Sequence, residues 1–323
     1  MEWTLIENKI VKTEDARISA SCLGFTLAAS VFEAIRVNWN RDREEYYIPN
    51  FKLHLKRFFT SLKIMRMDID KNKEEIENMV TELIRYWNEK TDGYIRITGY
   101  ISSGSKTGSV YNPEDVRTDV IISIKNSPWS DSYTSDVRCC VSSWRRIDDN
   151  TIPPRVKSAA NYENTRLAGQ DAVLNGFDNA ILLNSRGKVS EAAESTLFIV
   201  DDNNNLITPT LQDDILESLN RLTICKIWKD LTGRNVIERS IDRTELYVAK
   251  EAFLCNTAKM IRNIVSIDNY TLSNSSTTVR NIANKFNIVV RGNNILLNDT
   301  SLVIDMKEGK KYDRQTFIYY SYT

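Results

Sequence analysis

RVKSAANYENTRLAGQDAVLNGFDNAILLNSRGKVSEAAESTLFIV, residues 155–200, decides how the rest of the chain is read. YENTRLAGQDAVLNG has the character of a helix, and AILLNS that of a strand. Arg186-Gly187 reads as a turn, and TLFIVD as a further strand. Lys157 precedes the helix, and Tyr162 follows it five residues on. Taken alone, Lys157 is one of 43 lysines and arginines, and nothing in its spacing separates it from a solvated surface amine.

Upstream of this block, residues 3–12 and 44–50 read as strands, and FTLAASVFEAIR (25–36) as helix-like. KLHLKRFFTSLKIM (52–65) has apolar residues at helical spacing. NKEEIENMVTELIRYWNEK (72–90) reads as a helix running from an acidic first turn to a basic last turn, the arrangement its dipole favours. YIRITGYISS (94–103) and DVIISIKN (119–126) read as strands. NSPWSDSYTSD (126–136) breaks both periodicities and marks a linker at 126–135. Beyond it come strand VRCCVSSW, the block quoted above, a polar turn from Asp201 to Asn205, LITPT, and a helix over 214–232. ELYVAKEAFLCNT (245–257) and MIRNIVSID then read as a helical turn and two strands. Strands and helices alternate without a sustained βαβ rhythm. The expected fold class is therefore α/β or α+β in two domains, a smaller one over 1–125 and a larger one over 136–323.

Bulk properties exclude several functions. Basic and acidic residues both number 43, so the formal net charge is zero, and no electrostatic case exists for nucleic acid or an anionic membrane as partner. No apolar run approaches the roughly 18 residues needed to cross a bilayer. The start, MEWTLIENK, lacks the apolar core of a signal peptide. Five scattered cysteines without metal-ligand spacing fit reduced thiols in the cytoplasm and no metal site. The single histidine, His54, sits in the amphipathic segment FKLHLKRFF and reads as structural. Imidazole-based triads and multi-histidine zinc sites are therefore unsupported. SSGSKTG (102–108) lacks the spacing of a P-loop or of GxGxxG and reads as an ordinary loop. Catalysis, if any, falls to lysine, carboxylates, tyrosine or a cofactor.

The quoted block resembles the central part of fold-type IV pyridoxal-phosphate enzymes. That group contains branched-chain aminotransferases, D-amino-acid aminotransferases and aminodeoxychorismate lyases. Further stretches agree in order: GFTLAASVFEAIRV (24–37), LHLKRFFTSLKI (53–64), YIRI (94–97) and ELYVAKEAFLCNTAKMIRNIVSID (245–268). The resemblance implies pyridoxal 5'-phosphate as cofactor and the two-domain architecture of that fold type. It implies a role for each matching residue. Lys157 corresponds to the lysine that forms a Schiff base with the cofactor and shuttles a proton, chemistry open to an amine that is partly unprotonated. Tyr162 corresponds to the partner of the cofactor's phenolic oxygen, and Glu191 to the partner of its ring nitrogen. Glu194 beside it stands where the family has a small residue. Arg57, Thr257 and the start of the 214–232 helix at Leu219 and Asn220 correspond to the phosphate site. Arg96, Tyr94, Ala258 and Phe32 correspond to the substrate side, and strand alternation puts Tyr94 and Arg96 on one face.

Besides Glu194, the chain departs from the family pattern in three stretches, one of them ITGYISSGS after YIR in place of an apolar continuation. Leu27 replaces a tyrosine, with Ala28, Ala29 and Ser30 at neighbouring glycine or aspartate positions. Glu217-Ser218-Leu219-Asn220 replaces PGIT, which places the Glu217 charge near a phosphate. The expectation is an aminotransferase of the branched-chain type, exchanging amines between an amino acid and a 2-oxo acid such as 2-oxoglutarate by a ping-pong cycle. A homodimer is also implied. An aminodeoxychorismate lyase and a non-catalytic relative are the alternatives.

Overall fold

A computed structural model of the chain describes residues 2–103, 112, 115–129, 135–272 and 276–307. It divides into two compact units, one holding residues up to Ser130 and those from Val290 onward, the other running from Asp131 to Val289. Residues 104–108 of the loop at 102–108, 130–134 of the linker and the last residues of the tail lie outside the described part.

The first unit contains β1 (Glu2–Ile6), β2 (Lys9–Lys12), α1 (Leu23–Thr26), β3 (Ser30–Asn40) and β4 (Glu45–Ile48). It continues with α2 (Phe51–Ile64), α3 (Lys73–Trp87), β5 (Gly93–Ile101) and β6 (Thr118–Asn126). Two sequence expectations are corrected here. Residues 3–12 form a hairpin rather than one strand, because Glu7 and Asn8 take left-handed backbone at φ 50° and 59°. That pair of positive φ values is what a tight two-residue turn between twisted strands requires. The helix-like 25–36 is only one helical turn followed by strand β3. Every residue from Ser30 to Asn38 is buried, Glu33, Arg36 and Asn38 included, and a strand covered on both faces loses the in-out polar alternation that would mark it.

Helices α2 and α3 cover one face of this sheet. Phe51, Leu55, Phe58 and Leu62 recur at helical spacing on α2 and are almost fully buried. On α3, Ile76, Val80, Leu83, Ile84 and Trp87 do the same. An Asn72–Glu75 capping box starts α3, each side chain satisfying a first-turn amide. Gly99 lets α2 approach β5: a Cβ there would come within 2.9 Å of Leu62 and 3.2 Å of Phe58.

The second unit contains β7 (Asp136–Arg145), α4 (Asn161–Leu174), β8 (Asn179–Leu183), β9 (Val189–Ala192), β10 (Thr196–Val200) and β11 (Leu206–Thr208). Then follow α5 (Leu219–Thr232), β12 (Ile237–Glu238), α6 (Glu245–Val248), β13 (Glu251–Asn256), β14 (Met260–Ile267), β15 (Tyr270–Thr271) and α7 (Thr277–Val290). The sheet order is β12-β11-β10-β13-β14-β7-β8-β9, with β15 on β14, and β7 runs parallel to both neighbours. Leu197, Ile199, Leu254, Ile264 and Cys139 meet in its main core. Ala168 and Ala172 of α4 pack on Ala180 and Leu182 of β8. These small residues let the helix sit close to the sheet and fix where its first turn lies. The expected helix over 214–232 begins at Leu219; Asp214 is left-handed at φ 62° and holds 214–218 as a loop.

Strand β16 (Leu302–Asp305) pairs antiparallel with β4 and completes the first sheet, whose order is β16-β4-β3-β5-β6-β1-β2. Arg291 reinforces this return by pairing with Asp92 at 3.2 Å and lying over Trp129. The segment from 290 on, which the sequence groups with residues from 136, thus packs in the first unit.

Candidate active site

Lys157 lies in the second unit, on the connection from β7 to α4. The turn before it is closed by the Val156 amide on the Pro153 carbonyl, 3.0 Å. Asn161, the first residue of α4, donates its Nδ2 to the carbonyls of Pro153 and Val156, both at 3.1 Å. The helix start therefore clamps the turn and fixes the backbone on which Lys157 stands. Tyr162 is the next residue of that helix, and Lys157 Nζ donates to its hydroxyl at 2.5 Å. Five residues of separation become one polar contact only because the turn and helix are locked together.

Glu191, on β9, is buried, and both its carboxylate oxygens have partners. Arg146 Nη2 pairs with Oε1 at 2.7 Å, and the Leu216 amide donates to Oε2 at 3.4 Å. Arg146 also donates Nε to the Asp214 carbonyl at 3.2 Å. Asn220, at the start of α5, donates Nδ2 to Thr257 Oγ1 at 3.4 Å. Ser218 caps α5 by accepting from the Arg221 amide. The amides of Leu219 and Asn220, in the first turn, have no intrahelical acceptor. Thr257 and Ala258 lie on the turn between β13 and β14, which Asn256 closes by accepting from the Lys259 amide at 2.6 Å and donating to Ser195 at 2.9 Å.

Residues 214–220 are the hub of this site: Glu191, Arg146 and Thr257 all touch them. So does the lysine turn, since Arg155 pairs with Glu217 at 3.5 Å. The charge that the departure from PGIT introduces is thus countered by an arginine two residues before Lys157. This pair is about half exposed, and exposed pairs contribute only about 0.2–1 kcal/mol. Replacing Arg155 with alanine is expected to weaken cofactor affinity by up to about fivefold, with the loss reversed in the Arg155→Ala/Glu217→Ala double variant. Equal losses in the single and double variants, in a fluorescence titration, would show that Glu217 does not act on the cofactor.

In the first unit, β3 and β5 pair Phe32 with Thr98, Ala34 with Arg96 and Arg36 with Tyr94, which puts Phe32, Arg96 and Tyr94 on one face. The Arg96 guanidinium lies 3.6 Å from the Phe32 ring centroid, a cation–π contact. Glu33, the next residue, points to the opposite, helix-covered face. There Arg57 grips it with Nε and Nη2, both at 2.7 Å, and His54 Nδ1 approaches at 2.7 Å. Burial by itself pushes the Glu33 carboxyl up, but the Arg57 charge and hydrogen bond, with His54, outweigh it and hold it down at about 2. Arg57 therefore stands in a buried ion cluster, on the other face of the sheet from Phe32 and Arg96. Leu27, on the connection after α1, is 59% exposed.

Sequence reasoning missed Arg146, Arg155 and Asn256. Arg145 and Arg146 are adjacent at the end of β7, and only the fold shows that Arg145 is exposed and Arg146 buried. Among the described residues no cluster of histidine, cysteine or carboxylate side chains could hold a metal ion.

The second unit thus holds a lysine donating to a tyrosine hydroxyl, a buried carboxylate paired with arginine and a helix start with free first-turn amides. The model of the class IV amino-transferase family matches residues 30–267, most of the chain. A probable branched-chain-amino-acid aminotransferase of Aquifex aeolicus is 36% identical over 274 residues, covering 85% of this chain and 87% of that protein. The branched-chain-amino-acid aminotransferase of Escherichia coli K12 is 30% identical over 272 residues, 83% of this chain and 85% of that protein. The crystal structure of a branched-chain amino acid aminotransferase from Thermobaculum terrenum in its PLP form superposes with a TM-score of 0.86 at 32% identity, covering 94% and 98% of the two chains. The chain belongs to the class IV aminotransferases.

Proposed function

We propose that this chain is a pyridoxal-phosphate-dependent aminotransferase that takes the amine of a branched-chain or similar hydrophobic amino acid and passes it to a 2-oxo acid such as 2-oxoglutarate. The observation that carries the reading is the Lys157 Nζ–Tyr162 hydroxyl contact on a turn tied to the Glu191 and α5 elements. The donor set fits the cofactor: an amine for an aldehyde, a phenol for a phenolate, a buried carboxylate for a basic ring nitrogen, and first-turn amides with a hydroxyl for a phosphate. When bound, the cofactor supplies a carbonyl carbon that carries the amine and a ring that withdraws electrons from the amino acid's Cα.

The chain supplies the rest. Lys157 Nζ takes the proton from Cα and returns it to the acceptor side, and Tyr162 orients that amine. Glu191, its carboxylate fixed by Arg146 and the Leu216 amide, would hold the ring nitrogen of the bound cofactor. The Leu219 and Asn220 amides and the Thr257 hydroxyl of the second unit are assigned to the phosphate; Arg57, whose Nε and Nη2 grip Glu33 in the first unit, keeps a phosphate role on the family resemblance alone. Phe32, Tyr94, Arg96 and Ala258 are assigned to the substrate, with Arg96 beside Phe32 suited to an acceptor that carries a second carboxylate. Leu27 in place of a tyrosine, being apolar and exposed, suits a hydrophobic donor. A homodimer working in the cytoplasm completes the proposal. Among the described residues no helix is long and apolar enough to cross a membrane.

A donor screen tests this. Leucine, isoleucine or valine added without acceptor is expected to bleach the cofactor band by one equivalent, and 2-oxoglutarate to restore it with glutamate formed. Pyruvate released from aminodeoxychorismate without any acceptor would favour the lyase alternative instead. A wild type that takes up no cofactor would favour the non-catalytic one.

A further inference from the structure

We propose that Arg146 is the positioning residue that keeps the shared proton on the cofactor's ring nitrogen rather than on Glu191; the inference rests on the cofactor reading above. Arg146 and Glu191 side chains are 5% and 9% exposed and 2.7 Å apart. A lone buried charge is costly, and the pair neutralises both. Arg146 is held at three points, two of them on its guanidinium. Its backbone amide donates to the Leu183 carbonyl at 2.9 Å, its Nε to the Asp214 carbonyl at 3.2 Å, and its Nη2 reaches Glu191. The second carboxylate oxygen accepts from the Leu216 amide. Glu191 can therefore neither rotate freely nor leave the 214–216 loop that leads into α5.

A carboxylate facing a basic ring nitrogen shares one proton with it. Two forms have the same composition: carboxylate with protonated ring, or carboxylic acid with neutral ring. With the cofactor bound, the one proton would lie either on Glu191 Oε or on the ring nitrogen, with no other group gained or lost. An arginine charge at 2.7 Å from the carboxylate favours its ionised form, and the proton is left on the ring. That is the form in which the ring withdraws electrons from Cα. The planar fork adds a second function, since Nε and Nη2 tie the carboxylate and the Asp214 carbonyl into one rigid unit.

The test uses the holo-protein loaded with cofactor labelled at the ring nitrogen with 15N. In the wild type the 15N signal is expected at the protonated position. In Arg146→Met it is expected to move to the neutral position, with kcat lowered, substrate KM little changed, and cofactor Kd raised about tenfold or more. Arg146→Lys keeps a cation but has no second donor in a fixed fork. It is expected to retain the protonated signal while Kd rises several-fold. A folded Arg146→Met protein whose ring nitrogen stays protonated overturns the inference. Should Arg146→Met not fold, Arg146→Lys decides, and either a neutral ring signal or a wild-type Kd in that variant counts against the proposal. A wild type that binds no cofactor would overturn the proposed function, and this inference with it; absorbance shows that before any variant is made.

Discussion

Lys157→Ala is expected to fold, to bind cofactor without retaining it covalently, and to lose kcat by about 10²–10⁴-fold or more, the contribution of a positioned acid–base group. The fold survives because the hydrogen bond from Lys157 to Tyr162 contributes only about 1 kcal/mol. The turn carrying Lys157 is held by Asn161 and by backbone bonds that alanine leaves in place. Borohydride treatment followed by peptide mass analysis is the check, with the cofactor expected on the Lys157 peptide of the wild type and on no peptide of the variant. Lys157→Arg sharpens the result. It preserves a positive charge but not a nucleophilic amine, so it is expected to be as inactive as alanine. Cofactor trapped on another lysine, or turnover in the arginine variant, would sink the assignment of Lys157.

Glu33→Ala is expected to destabilise the first unit by about 3–5 kcal/mol, because it leaves the Arg57 charge buried without its partner. The damage falls on the sheet that carries Phe32 and Arg96, since Glu33 alternates with Phe32 on β3. The same cluster predicts an acid dependence. The Glu33 carboxyl is held at about 2 in the folded chain against an ordinary value of 4.5. A depressed carboxylate gives stability that is complete above the unfolded value and is lost as pH falls through the folded one. The loss is therefore expected between about pH 4.5 and 2, and Glu33→Gln, with no charge to titrate, is expected to lack this contribution. Tryptophans Trp3, Trp39, Trp87 and Trp129 all lie in the first unit, so denaturant midpoints read by fluorescence report mainly on it. Identical acid profiles for wild type and Glu33→Gln would show that the cluster contributes nothing to acid stability.

Much of the fold was legible in local pattern. Helices α2 and α3 are amphipathic over their own length and α3 carries a capping box, so their spacing needs no partner to be recognised. Strand β3 was not legible, because burial on both faces removes the alternation that marks a strand. The tail was not legible either. Leu302–Asp305 pairs with Glu45–Ile48 across more than 250 residues of chain, a contact that no local pattern encodes.

In the sequence a lysine, a tyrosine, a glutamate and a threonine match, by resemblance, positions of a known family, and similarity to that family's model and members places the chain among the class IV aminotransferases. With one histidine, the sequence also left no second imidazole for a multi-histidine metal site. Those conclusions follow from residue identity and separation, which sequence carries completely. Only the tertiary structure decided which charges answer one another. It paired Glu191 with Arg146 across 45 residues, Glu217 with Arg155 across 62, and Arg57 with Glu33 on the helix-covered face of the first sheet. The physical reason is that a buried charge takes its character from whatever opposite charge lies within a few ångströms, and that neighbour is chosen by packing rather than by position along the chain.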